Sequence, residues 1–383
     1  MIRNESIICF AHDWGGDPTS KTHIMRILSE KNRILWVNSI GMRRPAVSRR
    51  DARRLVAKLR QLTRGLVRIN SNLHVASPFA VPLPGVPGID RFNASILAAS
   101  VRYFARRAGL TRPMLWTFLP NTVGLLGRLG ESRVIYHCVD EYSAFAGVPR
   151  DALRRMEQTL VRRADLVLAS SETLAAERQP LNPRTHFVSH GVDVRHFAQA
   201  LAPGETPPDA AGLPRPVIGF FGLIAEWIDL DLIAEIARRR PSWTVVMIGK
   251  ANVDTSALRA LPNVRLLGQK PYAVLPAYCR GFDVGIIPFR IDALTVRANP
   301  LKLREYLAAG LAVVSSDLPE VRRYAGLVRL ATGAESFVSA IEEALADRSE
   351  GAARARSAAM EHESWEARVE QISELIDDAG MRP

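Results

Sequence analysis

The chain is poor in cysteine: Cys9, Cys138 and Cys279 are the only three in 383 residues, and none forms a CxxC pair. This excludes a disulfide framework and a cysteine zinc site, and points to a reducing compartment. Each sits in or beside an apolar run, where a thiol behaves as a small core side chain. Long hydrophobic runs are missing as well. The apolar opening at 7–11 stops at His12 and Asp13, and no stretch approaches the ~20 residues of a spanning helix. The expected location is cytoplasmic, extended to the inner face of the cell membrane if the chain attaches there. No Walker loop, GxGxxG or GxSxG occurs, and His186, His190 and His196 lack metal-ligand spacing, so no metal is expected.

Acidic residues are nearly absent from 43–68. That stretch holds Arg43, Arg44, Arg49, Arg50, Arg53, Arg54, Lys58, Arg60, Arg64 and Arg68 against Asp51 alone, within a chain of net charge +12. Leu55, Leu59, Leu62 and Leu66 recur at three- and four-residue spacing, which predicts one apolar helix face. Such a helix suits an anionic membrane, each basic residue adding ~1 kcal/mol, or else packs on its own domain with solvated arginines. Nucleic acid is not an expected partner, since no aromatics interleave and no binding motif is present.

What is present is enough apolar residue for two cores. At 383 residues with 47% hydrophobic content, two domains of ordinary size are expected. Strand-like runs at 7–11, 33–38, 73–77, 114–118, 134–137, 166–169 and 185–188 alternate with helical patterns at 20–28, 92–108 and 151–163. The proline-rich 81–88 reads as loop. The pattern stops at 202–216, with five prolines and two glycines, and restarts with strands at 217–221, 243–248, 264–267, 284–287 and 312–315. Helices at 230–239 and 301–309 belong to this second series. Alternation of this kind implies parallel sheets covered on both faces. Ligands of such sheets sit beyond the carboxyl ends of the strands, so a cleft between the two domains is the default active site.

The strongest local signal is Asn299-Pro300-Leu301-Lys302-Leu303-Arg304-Glu305-Tyr306. Proline at a helix start costs nothing, and free amides there attract phosphate. Lys302 adds a positive charge, and Glu305 lies three residues on, on the same face, where it could hold a ribose or sugar hydroxyl.

This segment, continued by Leu307-Ala308-Ala309-Gly310-Leu311-Ala312-Val313-Val314, resembles the nucleotide-sugar segment of family-4-like GT-B glycosyltransferases. Ser189-His190-Gly191-Val192-Asp193 with Phe197, the 164–171 run, Phe220-Phe221-Gly222, Pro271-Tyr272 and 282–289 resemble further segments of that family, in order. His12-Asp13-Trp14, with Ser20-Lys21 and Trp36-Val37-Asn38, is similar to bacterial teichuronic-acid and exopolysaccharide transferases. The resemblance implies an α/β GT-B fold: two Rossmann-like, doubly wound parallel-sheet domains facing a cleft. The implied ranges are 1–200 for the acceptor domain, 201–216 for a linker, 217–362 for the donor domain and 363–383 for a C-terminal helix crossing back. It further implies a metal-independent hexosyltransferase with no cofactor, a nucleoside diphosphate sugar as donor, and a lipid-linked or oligosaccharide acceptor. Donor contacts are expected from Gly222, Glu226, Lys250, Tyr272, Arg297, Asn299, Pro300, Leu301, Lys302 and Glu305. The chain departs from the family at Arg297, where the first of two glutamates usually stands, and in 223–229, which lacks the usual basic residue.

Asp140 and Glu141 follow a strand, where paired carboxylates could supply a general base; capping or surface ion pairs would explain them equally. Asp13 is a further catalytic candidate. His12, Trp14, Gly15 and Gly16 form another strand end that could approach and stack on an acceptor sugar, or serve as an ordinary turn. Asp229-Leu230-Asp231 looks like an acid–x–acid metal signature but reads as a helix cap. A catalytically inactive GT-B-like scaffold and a sugar-nucleotide epimerase are the alternatives to a transferase.

Overall fold

Two mixed α/β sheets organise the chain in this computed structural model, which describes residues 1–39, 65–78 and 87–378. The first sheet runs β3-β4-β2-β1-β5-β6-β7-β8 and the second β11-β10-β9-β12-β13-β14. Its strands are β1 Ser6–Phe10, β2 Arg33–Val37, β3 Leu66–Arg68, β4 Leu73–Ala76, β5 Met114–Thr117, β6 Arg133–Cys138, β7 Leu166–Ala169 and β8 Thr185–Phe187. Those of the second are β9 Val217–Phe221, β10 Thr244–Ile248, β11 Val264–Gly268, β12 Val284–Ile287, β13 Ala312–Ser316 and β14 Arg329–Ala331. Every described pairing is parallel except β3 with β4. In each sheet the first strand of the series lies between the second and the fourth main strand, the doubly wound order of a Rossmann fold.

Burial explains the continuous apolar strands. Along β9, Val217 and Phe221 enter one core cluster while Ile218 and Phe220 enter the other. β10 divides in the same way, Val246 and Ile248 against Val245 and Met247. Covering both faces leaves no polar side, so alternation disappears from the sequence.

The first compact unit takes in the chain to Ser189 and again from Arg368; the second is His190 to Ala367. The stretch read as a linker packs on the second unit. Arg280 donates to the carbonyls of Gln199, Ala202 and Glu205 at 2.8–3.0 Å, and Ala210 is buried in a core cluster. The C-terminal helix Trp365–Asp378 joins the first unit from Arg368, and Glu370 accepts from the Met1 ammonium at 2.6 Å.

The basic helix expected at 43–68 falls mostly on residues 40–64, outside the described residues. Its last part is corrected: Leu66–Arg68 is a strand, not helix. The Asn70 side chain accepts from the Asn72 and Leu73 amides at 2.9 and 2.7 Å, making a tight turn that pairs β3 antiparallel with β4. The helix expected from 92 starts earlier, at Pro87 (Pro87–Arg107), because proline is tolerated in a first turn.

Candidate active site

In the second unit β9 and β12 are neighbours, so strand order reverses there; open α/β sheets bind ligands beyond the carboxyl ends of the strands at such a point. Gly222 follows β9 with φ 144° and Gly249 follows β10 with φ 152°. A Cβ on Gly249 would lie 1.7 Å from the Gly222 carbonyl oxygen, so the two turns pack backbone against backbone. The Gly222 amide donates to Ile248 O at 2.8 Å. The helix Leu301–Ala308 is anchored beside them through Tyr306. Its ring lies on Gly285, where a Cβ would come within 3.0 Å, and its hydroxyl accepts from the Phe221 amide at 3.0 Å. This anchoring carries Lys302 over the glycine turn. A Cβ on Gly222 would lie 2.6 Å from Lys302 Cε, and the ammonium stands 5.8 Å from the Phe221 ring centroid.

The charges at this helix start are incompletely matched. Lys302 Nζ and Glu305 Oε2 are 3.9 Å apart, too far for a hydrogen bond, and the buried Oε2 makes none. Burial raises the Glu305 pKa, while Lys302 and then His196 pull it back. No side chain caps the helix; the Leu303 amide donates to the Pro300 carbonyl at 3.2 Å, and the amides before it have no intrahelical acceptor. A lysine, free amides and an orphan carboxylate oxygen within one turn suit an anion joined to a hydroxyl-bearing group. His196 lies against the same region: its ring stacks on Tyr272 at 4.5 Å and 17°, with Nε2 3.0 Å from the Tyr272 carbonyl oxygen. Spacing alone gave His196 no role; the fold brings it within electrostatic range of Glu305.

Other expected donor residues divide. The Asn299 side chain is 5% exposed and turned inward. Its Oδ1 accepts from Arg304 at 2.7 Å and its amide faces Glu320 at 3.4 Å. Arg304, fully buried, also donates to the Tyr324 hydroxyl at 2.7 Å and pairs with Glu363 at 3.2 Å. This network braces the helix from beneath. Pro300 is buried as the residue before the helix, and Leu301 is half-buried in its first turn. Arg297 is half-buried, on the turn Thr295–Arg297, and donates to the Ala293 carbonyl at 2.7 Å. Glu226 and Lys250 are exposed in the segments after β9 and β10, and Lys250 O accepts from the Ile224 amide at 3.0 Å. Asp229 is a cap, its Oδ1 accepting from the Leu232 amide at 3.1 Å.

The first unit gathers a second polar group where β1, β5 and β6 end. Lys21 Nζ lies 3.4 Å from the Tyr142 hydroxyl and 5.9 Å from the Phe118 and Tyr142 ring centroids. Burial lowers the Lys21 pKa, and Asp140 followed by Cys9 raises it again. Reciprocally, burial raises the Asp140 pKa and Lys21 lowers it. His137 is buried, stacks on Phe118 at 4.8 Å, and has a pKa pushed down to about 3 by burial and then by Lys21. His12 is pushed down to about 4 by the same two causes. The Nδ1 atoms of both histidines are buried without a hydrogen-bond partner. Sequence reading offered Asp140 and His12 for this cluster but not Lys21, His137 or Tyr142.

Glu141 turns to other partners. It stands beside Asp140 in sequence, yet its Oε2 accepts from Arg178 at 2.7 Å and its Oε1 from the Ser143 hydroxyl at 2.5 Å. Arg178 also pairs with Glu157 at 3.1 Å, so Glu141 belongs to a structural ion network. Asp13 accepts from the Ser39 amide at 3.1 Å and ties the end of β1 to the segment after β2. Trp14 packs edge-on against Trp36 at 4.9 Å, with Arg26 5.3 Å from a Trp14 ring centroid. Gly15 and Gly16 are exposed, and a Cβ at either would meet nothing within 4 Å.

Residues 215–347 match a family model described as Glycosyl transferases group 1. Sucrose-phosphate synthase from Thermosynechococcus elongatus superposes with a TM-score of 0.71 at 14% identity, covering 99% of this chain and 100% of that one. HepE of Anabaena, in complex with UDP and glucose, gives 0.68 at 14% identity over 98% and 100%. The fold is GT-B. Its second unit carries a glycosyltransferase group 1 domain. In sequence the chain is 29% identical over 231 residues to the putative teichuronic acid biosynthesis glycosyltransferase TuaH of Bacillus subtilis (strain 168), covering 55% of this chain and 57% of that protein. It is 27% identical over 175 residues to a GDP-mannose-dependent alpha-mannosyltransferase of Mycolicibacterium smegmatis, covering 45% and 44%. The chain thus spans about half the length of the curated relatives it matches. Among the described residues no cluster of three metal-ligating side chains occurs and no helix is long and apolar enough to cross a membrane.

Proposed function

We propose that this GT-B chain transfers a sugar from a nucleoside diphosphate sugar to a saccharide acceptor, lipid-linked, in surface polysaccharide synthesis. The observation that carries this reading is Lys302 lying across the Gly222 turn with the unpartnered Glu305 oxygen beside it. Lys302 and the free amides of the helix start stabilise the diphosphate, first in the bound donor and then more strongly as the leaving group gains charge. Glu305 accepts from a donor hydroxyl, and the Tyr272–His196 stack borders it. No metal is required in this scheme, because lysine and amides supply the positive potential. The first unit takes the acceptor. Asp140, with its raised pKa, is the general base for the acceptor hydroxyl, and Lys21 opposes it. A lipid-linked acceptor and an anionic membrane against the basic stretch 43–68 accord with a cytoplasmic protein at the inner face of the membrane.

The test is release of nucleoside diphosphate with and without a saccharide acceptor. Release that requires acceptor, and is lost in Asp140→Asn and Lys302→Met, supports the transferase. Donor conversion without acceptor would favour an epimerase. A second reading, an inactive GT-B-like scaffold, is favoured by Arg297 in place of the first glutamate and by the lack of a basic residue in 223–229. It requires that Lys302→Met leave the cellular role intact.

A further inference from the structure

The stretch 91–130 contains Arg91, Arg102, Arg106, Arg107, Arg112 and Arg128 and no acidic residue. Four of these, Arg102, Arg106, Arg112 and Arg128, line an open cavity of about 620 Å³ beside the end of the helix Pro87–Arg107. Among the described residues no carboxylate lines it. Arg102 donates to the Arg128 carbonyl at 3.0 Å and Arg128 to the Ser95 hydroxyl at 3.3 Å, so the guanidinium groups are held together by neutral partners. Arg112 occupies φ 43°, a conformation that non-glycine residues seldom adopt. Asp90 and Glu131 bound this stretch in sequence, and Glu131 accepts from the Gly127 and Leu129 amides. Four exposed arginines around one cavity concentrate positive potential, which attracts an anion.

The same helix exposes two large aromatics, Phe92 at 53% and Tyr103 at 55%. Eleven residues separate them, which is within ~20° of three whole turns, so they share one stripe about 16 Å long. Arg91 and Arg102 bear the same relation and flank them. Tyr103 keeps its hydroxyl beside Arg107, whose Nη1 donates to it at 3.3 Å. We infer that this face of the first unit docks on an anionic phospholipid bilayer, with lipid phosphates in the arginine cavity and Phe92 and Tyr103 in the interfacial layer. Guanidinium groups pair bidentately with phosphate, and amphipathic aromatics favour the interface. A nucleic-acid site would place its aromatics inside the basic cavity to stack on bases; here they lie outside it. This surface deepens the membrane part of the proposed function and rests on no residue of the donor site.

The test is flotation of the full chain with vesicles of phosphatidylcholine alone and of phosphatidylcholine with roughly one-third phosphatidylglycerol. Binding is expected only to the anionic vesicles and should weaken at high salt. Arg102→Gln, Arg106→Gln and Arg112→Gln together should lower partitioning by about 100-fold, at about fivefold per charge. Phe92→Ser with Tyr103→Ser should lower it by about tenfold while keeping the salt dependence. Unchanged melting, and an unchanged response to nucleotide, show that the variants are folded. Normal binding by both helix variants, with loss on reversing Arg49, Arg50, Arg53 and Arg54, would overturn this surface and leave the membrane reading intact. Equal binding to neutral and anionic vesicles, or none to either, would overturn both.

Discussion

Replacing Lys302 by methionine removes one charge and keeps the stem that packs over Gly222 and Phe221. The lysine side chain is 24% exposed and its ammonium stands 3.9 Å from Glu305. A unit charge about 4 Å from a phosphate is worth about 4 kcal/mol at an effective dielectric near 20 and about 1 kcal/mol in water. A site this open lies between those limits, so a loss of about 2 kcal/mol is expected, or about 30-fold in Kd. Isothermal titration with a nucleoside diphosphate and with its parent nucleoside makes the effect specific. The diphosphate should weaken about 30-fold, while the nucleoside, which carries no phosphate, stays within about twofold. A variant that binds diphosphate as tightly as the parent protein would refute the assignment of Lys302. So would equal losses for nucleoside and diphosphate, since that pattern means a damaged pocket.

Three further outcomes follow from the geometry. Gly249→Ala drives a Cβ to 1.7 Å from the Gly222 carbonyl at φ 152°, and should cost at least about 3 kcal/mol, read as a melting point lowered by roughly 6–12 °C. Arg304→Met leaves Glu363, Asn299 and Tyr324 without their buried partner, so chemical denaturation should show a loss of about 3–5 kcal/mol. His137 stays neutral in the fold down to about 3, against an ordinary value of 6.5, so the unfolded chain takes up a proton that the fold refuses. Its stabilising contribution is complete above 6.5 and is lost as pH falls, at about 1.4 kcal/mol per pH unit. His137→Phe keeps the stack on Phe118 and removes this term, so between neutral pH and about pH 5 it should lose about 2 kcal/mol less than the parent in urea titrations.

Much of the fold was legible because its signals are local. The helix Leu230–Arg239 announced itself through the Asp229 cap, and the apolar runs of β9, β10 and β12 through burial on both faces. The β3–β4 pairing was missed because an asparagine turn outweighed the leucine spacing that ended at Leu66. In the site, Lys302 and Glu305 share one helix turn and could be read directly. Arg178 and Glu141 are 37 positions apart and His196 and Tyr272 are 76, so their meeting depends on the sheets. Asn299 depends on a pairing that the motif does not announce. Its place in the motif suggested ligand contact, but the buried guanidinium of Arg304 claims it.

The claim at the centre of this account is that the second unit holds a nucleoside diphosphate against Lys302. Thermal unfolding of the full chain with a panel of uridine, guanosine, adenosine, cytidine and thymidine diphosphates addresses it directly. A ligand at about 100 times its Kd adds about 2.7 kcal/mol, so one base should raise the melting temperature clearly, and Lys302→Met should erase most of that rise. No shift with any of the five diphosphates, or a shift that survives the loss of Lys302 undiminished, would contradict it.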